Sequence, residues 1–360
     1  MPTVPTTTPP PLSDMCVLAS TDFSSYSLPR VVSADGRSVV TTENSGSVFV
    51  IKIRPTDATG PVRLVAAVDG ADGPLGVGVS PDGSHVVFGS FPASTTQTIT
   101  HQLHRWDAAD GTISDVLTPT VSSPPDGTPL VLQPRQISAD GTRILWSQTY
   151  VRSQGPRTVT LITDAVTDAV ISETSVGFVT NAPLTPGDWL SVGPRAIYDS
   201  SDGSVRDIGA DVDAAASDFP GPAFTPMGLS ADGRYVVLGR VVLTKFDAVL
   251  RDRRSATTSP IVLGRALPAG RSPADSVAVH GVSDTGTVLV SFRDPDPATT
   301  YQVVRVEAGG APSTISAYVW HAGTSSNPYP PAVAASPDMR TVVLTRSTST
   351  GFQLASERCA

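Results

Sequence analysis

The segment QISADGTRILWSQ, residues 136–148, determines how this chain folds. It reads as the end of an apolar strand, a Ser-Ala-Asp-Gly turn and a second strand rich in apolar residues. Asp-Gly favours a tight turn, because glycine adopts a positive φ at no steric cost and aspartate tolerates the neighbouring conformations. The segment therefore predicts a β-hairpin.

The same hairpin pattern returns along the whole chain. Its first serine is found at Ser33, Ser80, Ser138, Ser230, Ser283 and Ser336. Successive serines are 47 to 58 residues apart, except for one interval of 92 residues. A degenerate copy, LTPGDWLSV from Leu184, divides that interval at Thr185 into 47 and 45 residues. We therefore expect seven copies.

Several copies contain a second hairpin downstream, as in HRWDAADGTISDVL (104–117) and RAIYDSSDGSVRDIG (195–209). Two hairpins in a period of about 50 residues make a four-stranded unit, and repetition at this period is typical of a β-propeller. The sequence predicts an all-β protein, a single seven-bladed β-propeller with four-stranded antiparallel blades.

The repeat resembles the TolB-type, WD-like β-propeller repeat. Ser80-Pro81-Asp82-Gly83 and Ser336-Pro337-Asp338 match it best, and Trp106-Asp107 is similar to the WD dipeptide. The resemblance implies the fold and leaves the function open, since such propellers serve as scaffolds, receptors, lyases and accessories of hydrolases. The sequence has no counterpart of the small α/β domain of TolB and no G-x-S-x-G nucleophile motif.

Composition excludes several kinds of partner. The chain has 25 Lys and Arg against 33 Asp and Glu, a net charge of −8, so no basic surface for nucleic acid or anionic lipid is expected. No apolar run approaches the ~20 residues that span a bilayer. No Gly-rich phosphate loop opens a helix, so no nucleotide cofactor is expected. We expect a monomer.

The two ends of the chain have different predicted roles. Residues 1–13, MPTVPTTTPPPLS, read as a flexible tail, and residues 14–360 as the propeller. The last copy supplies only three strands, so the segment 15–21 is expected to complete its blade and close the ring.

Ring closure places Cys16 and Cys359 on neighbouring strands, which predicts a disulfide; two buried free thiols are the alternative. A disulfide persists in an oxidising compartment, which favours an extracellular or cell-envelope location over the cytoplasm.

The first strand of each propeller blade lines the central channel. The residue three before each anchor is expected in the upper channel: Arg30, Val77, Arg135, Ala182, Met227, His280 and Val333. Arg30, Arg135 and His280 would form a cationic patch that binds a carboxylate, phosphate or sulfated ligand. The alternative is that both arginines pair with nearby acidic residues.

Histidines offer the only acid–base candidates. His280 and His321 are expected on the same face and would act as a general acid or base; the alternative is a hydrogen-bonded structural role. His101 and His104 point to opposite faces of a strand, so no metal site is expected. The repeated aspartates lack the clustered spacing of calcium ligands and are expected to be turn acceptors.

These observations favour an exported binding or scaffold protein whose upper channel face binds a protein, a peptide or a small anionic ligand. The alternative is a propeller lyase or hydrolase, with His280 as acid or base and Arg30 and Arg135 as an anion clamp.

Overall fold

The structure is a computed structural model. It describes residues 15–21, 25–45, 48–69, 77–80, 82–90, 102–117, 119–122, 126–153, 157–176, 191–193, 195–199, 204–242, 245–261, 277–293, 300–308, 310, 312–319, 332–348 and 350–358. The tail at 1–13 lies outside these residues. Among them, no helix is both long and apolar enough to cross a membrane.

Six antiparallel sheets of four strands make up most of the described chain. The first three, in chain order, are β2 (Ser25–Val32), β3 (Ser38–Ser45), β4 (Val48–Pro55) and β5 (Arg63–Asp69); β6 (Val77–Val79), β7 (His85–Ser90), β8 (Gln102–Asp107) and β9 (Ile113–Val116); and β10 (Thr128–Ile137), β11 (Arg143–Val151), β12 (Arg157–Asp164) and β13 (Val170–Val176). The other three are β17 (Thr225–Leu229), β18 (Tyr235–Val242), β19 (Lys245–Asp252) and β20 (Thr257–Ile261); β21 (Val277–Val282), β22 (Val288–Arg293), β23 (Thr300–Val306) and β24 (Ser313–Val319); and β25 (Val333–Ala335), β26 (Val342–Ser347) and β27 (Phe352–Ser356) with β1 (Cys16–Thr21).

The prediction of seven four-stranded blades is wrong, because the part of the chain that the structure describes forms six blades of this kind. The described residues of the degenerate copy form a sheet of three short strands: β14 (Ser191–Gly193), β15 (Ala196–Asp199) and β16 (Ser204–Asp207). This copy reads Thr185-Pro186-Gly187-Asp188 where four of the others read Ser-x-Asp-Gly, so its sequence lacks the serine and aspartate that bond to each other in those turns.

A helix follows the three-stranded sheet, α1 (Gly209–Asp218). Val212 and Ala215 of this helix pack with Ile197 of β15 and Leu229 of β17. The chain therefore covers the apolar face of the three-stranded sheet with a helix before it enters the next blade.

The first strand of each sheet lies nearest the centre. Strands β2 and β25 are in contact, as are β6 and β10, β17 and β21, and β21 and β25. The core lies between neighbouring sheets: Val31 of β2 packs with Val79 and Val86 of the following sheet, and Ile137 of β10 packs with Val87 of the preceding one.

The two ends of the chain close the ring, as the sequence predicts. Strand β1 pairs with β27, with Cys16 opposite Ser356 and Thr21 opposite Phe352. Glu357, directly after β27, forms an ion pair with Arg305 of β23 in the neighbouring blade. Cys359 lies outside the described residues, so the disulfide stays a prediction.

Each complete Ser-x-Asp turn is fixed by the same hydrogen bonds. Ser138 Oγ donates to Asp140 Oδ1 at 2.6 Å, and the backbone N–H of Arg143 donates to Ser138 Oγ at 2.9 Å. Burial opposes ionisation of Asp140, but hydrogen bonds from Ser138 and Thr142 outweigh it and hold the pKa of this carboxyl below its usual value. The repeated aspartates are therefore turn acceptors.

One turn has a residue other than glycine at its left-handed position. Met339, in the last copy, has φ of 58°, a left-handed conformation that glycine adopts in the other copies. Its side chain is 6% exposed and packs with Leu289 and Val333. A Cβ on Gly281 would lie 2.7 Å from the Met339 methyl group, so Gly281 makes room for this side chain.

Two variants separate backbone strain from packing at Met339. Both Met339→Ala and Met339→Gly should lower the free energy of unfolding by about 2–5 kcal/mol, because each deletes a buried side chain. Met339→Gly should be the more stable of the two by about 1–2 kcal/mol, because glycine removes the cost of the left-handed backbone. Urea unfolding measures the difference, and an alanine variant at least as stable as the glycine variant would contradict the strain.

Candidate functional site

A β-bulge recurs on the inner strands at the position three residues before the anchor serine. In β10, Pro134 pairs with Trp146 and Gln136 pairs with Leu145, so Arg135 has no cross-strand partner. The same register shift leaves Arg30, Met227 and His280 as the extra residues of β2, β17 and β21. Bulges redirect side chains and are frequent beside binding sites.

Proline contributes to three of these bulges. Pro29, Pro134 and Pro226 directly precede the extra residues of β2, β10 and β17. Proline has no backbone N–H to donate, so it fits where the ladder is interrupted. The remaining predicted channel positions differ. Val77 and Val333 are paired with Phe88 and Leu344, and Ala182 lies outside the described residues.

The three polar bulge residues bind a hydroxyl of their own blade. Arg135 Nε donates to Ser147 Oγ at 2.6 Å, and Arg30 Nε donates to Thr42 Oγ1 at 2.8 Å. His280 Nε2 lies 2.7 Å from Ser291 Oγ. The structure therefore places Arg30, Arg135 and His280 in equivalent positions on three separate blades, each held by its neighbouring strand.

Arg135 carries a charge that no acidic side chain of the described residues balances. Burial lowers the pKa of its guanidinium, and no carboxylate offsets that effect. Two other arginines that are withdrawn from solvent have acidic partners: Arg54 bonds to Glu43, and Arg305 bonds to Glu357. Burial also lowers the pKa of Arg346, which bonds to the amide of Gln353. A desolvated guanidinium is costly unless an anion or strong acceptors surround it, so Arg135 is the strongest candidate for contact with an anion.

His280 is a buried neutral side chain. It is 3% exposed, and burial lowers the pKa of its imidazole to about 3. Its Nδ1 is buried without a hydrogen-bond partner. A group that stays neutral near pH 7 exchanges protons poorly there, but it offers a polar atom to a bound molecule. His321, the other predicted acid or base, lies outside the described residues.

A charged cleft is present near the Asp-Gly turns, lined by Ala210, Asp211, Asp232, Arg234, Arg253 and Arg254. Most of its charges already pair: Arg253 Nε lies 3.0 Å from Asp211 Oδ2, and Arg234 binds Asp252 at 2.7 Å. Because these groups neutralise one another, the cleft is a weaker candidate than Arg135. The described residues contain no group of three or more side chains suited to a metal ion.

Sequence reasoning missed two features of the site. The hydroxyls that hold the bulge residues, Thr42, Ser147 and Ser291, were not predicted, although they lie eight or nine residues after the anchor serines. Gln136 was also missed. It is the one polar residue at its position, where the other complete copies have Val31, Gly78, Gly228, Gly281 and Ala334. The spacing of the hydroxyl residues and the exceptional amide of Gln136 can both be seen when the copies of the repeat are aligned.

Solved structures confirm the β-propeller fold. The β-propeller domain of the Trilobed protease from Pyrococcus furiosus is similar with a TM-score of 0.55 and 13% identity, covering 94% of each chain. An oligogalacturonate lyase in complex with manganese has a TM-score of 0.54 and 11% identity, covering 92% of this chain and 90% of the other. At such identities the similarity shows the fold alone.

TolB from Acinetobacter baumannii is also among the similar structures, with a TM-score of 0.35, 13% identity and coverage of 82% of this chain. The chain spans 56% of the length of that TolB. The chain has the β-propeller fold that the TolB-type repeat implies, as the sheet topology and the propeller domain of the Trilobed protease show. No protein-family model matches the chain, and no curated protein is similar in sequence.

The buried imidazole predicts a pH dependence of stability. The pKa of His280 is about 3 in the folded protein and 6.5 in an unperturbed chain, so the unfolded state takes up a proton first as the pH falls. The contribution of His280 to stability should be complete above about pH 6.5 and should decrease between about pH 6.5 and pH 3.

Urea unfolding of the wild type and of His280→Gln at a series of pH values measures this contribution. The wild type should lose stability more steeply than the variant below about pH 6.5. The control variant His104→Gln, at a histidine whose Nδ1 lies 3.0 Å from the exposed carboxylate of Asp115, measures the effect of removing a histidine outside the core. Parallel curves for wild type and His280→Gln would contradict a buried neutral imidazole.

Proposed function

We propose that this protein is a non-catalytic binding protein that holds an anionic group against Arg135 on the inner strand β10. The single observation that carries the proposal is the desolvated guanidinium of Arg135, which has a hydroxyl partner in Ser147 and no acidic partner among the described residues. The anionic group belongs to a protein, a peptide or a small ligand.

The pairing of Arg135 with Ser147 supports a binding role. The hydroxyl engages Nε and fixes the guanidinium plane, so the two terminal nitrogens remain for a second partner. Two parallel N–H groups fit the two oxygens of a carboxylate, phosphate or sulfate group. The net charge of −8 repels anions at long range, so binding would depend on this local contact rather than on steering.

Arg30 and His280 extend the same proposal to two other blades. Both residues occupy the same bulge position of their inner strands as Arg135, and each contacts a hydroxyl of its own blade, which supports this extension. Arg30 would add a second positive charge for a larger anionic partner, and His280 would add a neutral polar contact through Nδ1. No observation favours the alternative lyase or hydrolase, which needs a group that exchanges protons near neutral pH.

The extracellular or cell-envelope location belongs to the same proposal and depends on the predicted disulfide. Cys16 begins β1 opposite Ser356, three residues before Cys359, so the pairing of the terminal strands supports a bond between the two cysteines. A monomer is the proposed state, with the inner strands of one ring forming the site.

Removal of the Arg135 charge tests the binding role. Succinate, sulfate and inorganic phosphate are titrated against the wild type and Arg135→Gln, and thermal unfolding is followed. An anion at about 100 times its Kd adds about 2.7 kcal/mol to the wild-type stability, and Arg135→Gln should lose that gain. The matched control Arg340→Gln, at a side chain 87% exposed on a turn, should keep it. Equal stabilisation of wild type and Arg135→Gln, or none, would contradict the proposal.

Mass spectrometry tests the disulfide. Protein purified from an oxidising compartment and digested without reductant should yield a peptide pair that joins Cys16 and Cys359. Chain-entropy arithmetic for so long a loop gives an upper bound of about 5–6 kcal/mol, so reduction should lower the unfolding temperature. Two unmodified cysteine peptides from such a preparation would contradict both the bond and the export that depends on it.

A further inference from the structure

The inner strand that carries Arg135 also carries a buried amide oxygen without a hydrogen-bond partner. Gln136 is 4% exposed, and its Oε1 is buried with no hydrogen bond. An unsatisfied buried acceptor costs folding free energy, and native proteins contain few of them. Its copies elsewhere in the repeat are Val31, Gly78, Gly228, Gly281 and Ala334, so the fold itself does not require an amide at this position.

The amide of Gln136 and the guanidinium of Arg135 lie on the same face of the sheet. Gln136 is directly opposite Leu145, and cross-strand partners share a face. Ser147, two residues beyond Leu145 on β11, shares that face as well. Because Arg135 bonds to Ser147, the bulge has brought two consecutive side chains of β10 to one side.

That face is turned toward the three-stranded sheet. Leu145 packs with Ile162 and against Ala196 of β15. The unbalanced charge and the unpartnered acceptor therefore belong to one face of β10, which is turned toward the sheet that departs from the four-stranded pattern.

The guanidinium of Arg135 and the amide oxygen of Gln136 bind different chemical groups, and one ligand can carry both. The guanidinium requires an anionic group, and the amide oxygen requires an O–H or N–H donor next to that group. An ammonium donor would stand close to the Arg135 charge and be repelled, so a hydroxyl fits better.

We propose that the ligand is a small hydroxycarboxylate, whose carboxylate binds Arg135 and whose adjacent hydroxyl donates to Gln136 Oε1. This proposal rests on the anion-binding function proposed above and adds the donor.

Two dicarboxylates with the same carbon skeleton test the donor. L-malate and D-malate carry a hydroxyl beside one carboxylate, and succinate carries none. Calorimetric titration of the full chain should show that one malate enantiomer binds about 2- to 12-fold more tightly than succinate, which is the range expected for one neutral hydrogen bond.

The variant Gln136→Met keeps the length of the side chain and removes its acceptor. It should bind malate and succinate equally, with the affinity for succinate unchanged, whereas Arg135→Gln should bind neither. A second variant, Gln136→Glu, places a carboxylate beside Arg135 and should abolish binding of both, which keeps the test valid if Gln136→Met folds poorly.

The outcomes separate the two proposals. Equal affinity of the wild type for malate and succinate, lost in Arg135→Gln, would overturn the hydroxycarboxylate proposal and leave the anion site in place. A malate preference that survives in Gln136→Met would overturn the role of the amide. Failure of the wild type to bind either acid would overturn both the anion site and its hydroxycarboxylate ligand.

Discussion

The hydrogen bond from the anchor serine to the turn aspartate is the constraint on which the rest of the structure depends. In five copies the serine Oγ lies 2.6 Å from the aspartate Oδ1 and also accepts a backbone N–H at or directly before the start of the following strand. These bonds fix the register of the inner hairpin, because a slip of one residue would reverse which side chains face the neighbouring blade. The register in turn sets the bulge three residues before the serine.

The β-bulge allows a strand of the repeat to form the candidate binding site. A regular strand would place Arg135 and Gln136 on opposite faces. The extra residue in β10 breaks this alternation, so a charged and a neutral polar side chain share the face that carries Ser147. In β17 the same bulge presents Met227, which packs against the core of the following blade. The blades therefore share one backbone arrangement. The side chain at the bulge determines whether that position can bind a ligand or packs in the core.

The sequence predicted the repeat, the antiparallel blades and the closure by β1, because each depends on local turn chemistry and on the count of strands. The sequence overestimates the degenerate copy: the segment from Leu184 predicts a full blade, although it lacks the Ser-x-Asp-Gly turn. It located Arg30, Arg135 and His280 by their distance from the anchors. It could not show that His280 is buried or that Gln136 shares the face of Arg135, because both depend on strand register and packing.

A crystal structure of the full chain grown in L-malate tests the central claim most directly, namely that the charge of Arg135 is balanced by a ligand and not by the protein. We expect a carboxylate of the acid within hydrogen-bond distance of the terminal nitrogens of Arg135, with Ser147 still bound to Nε. An Asp or Glu of this chain in that position, with no density for the acid, would contradict it.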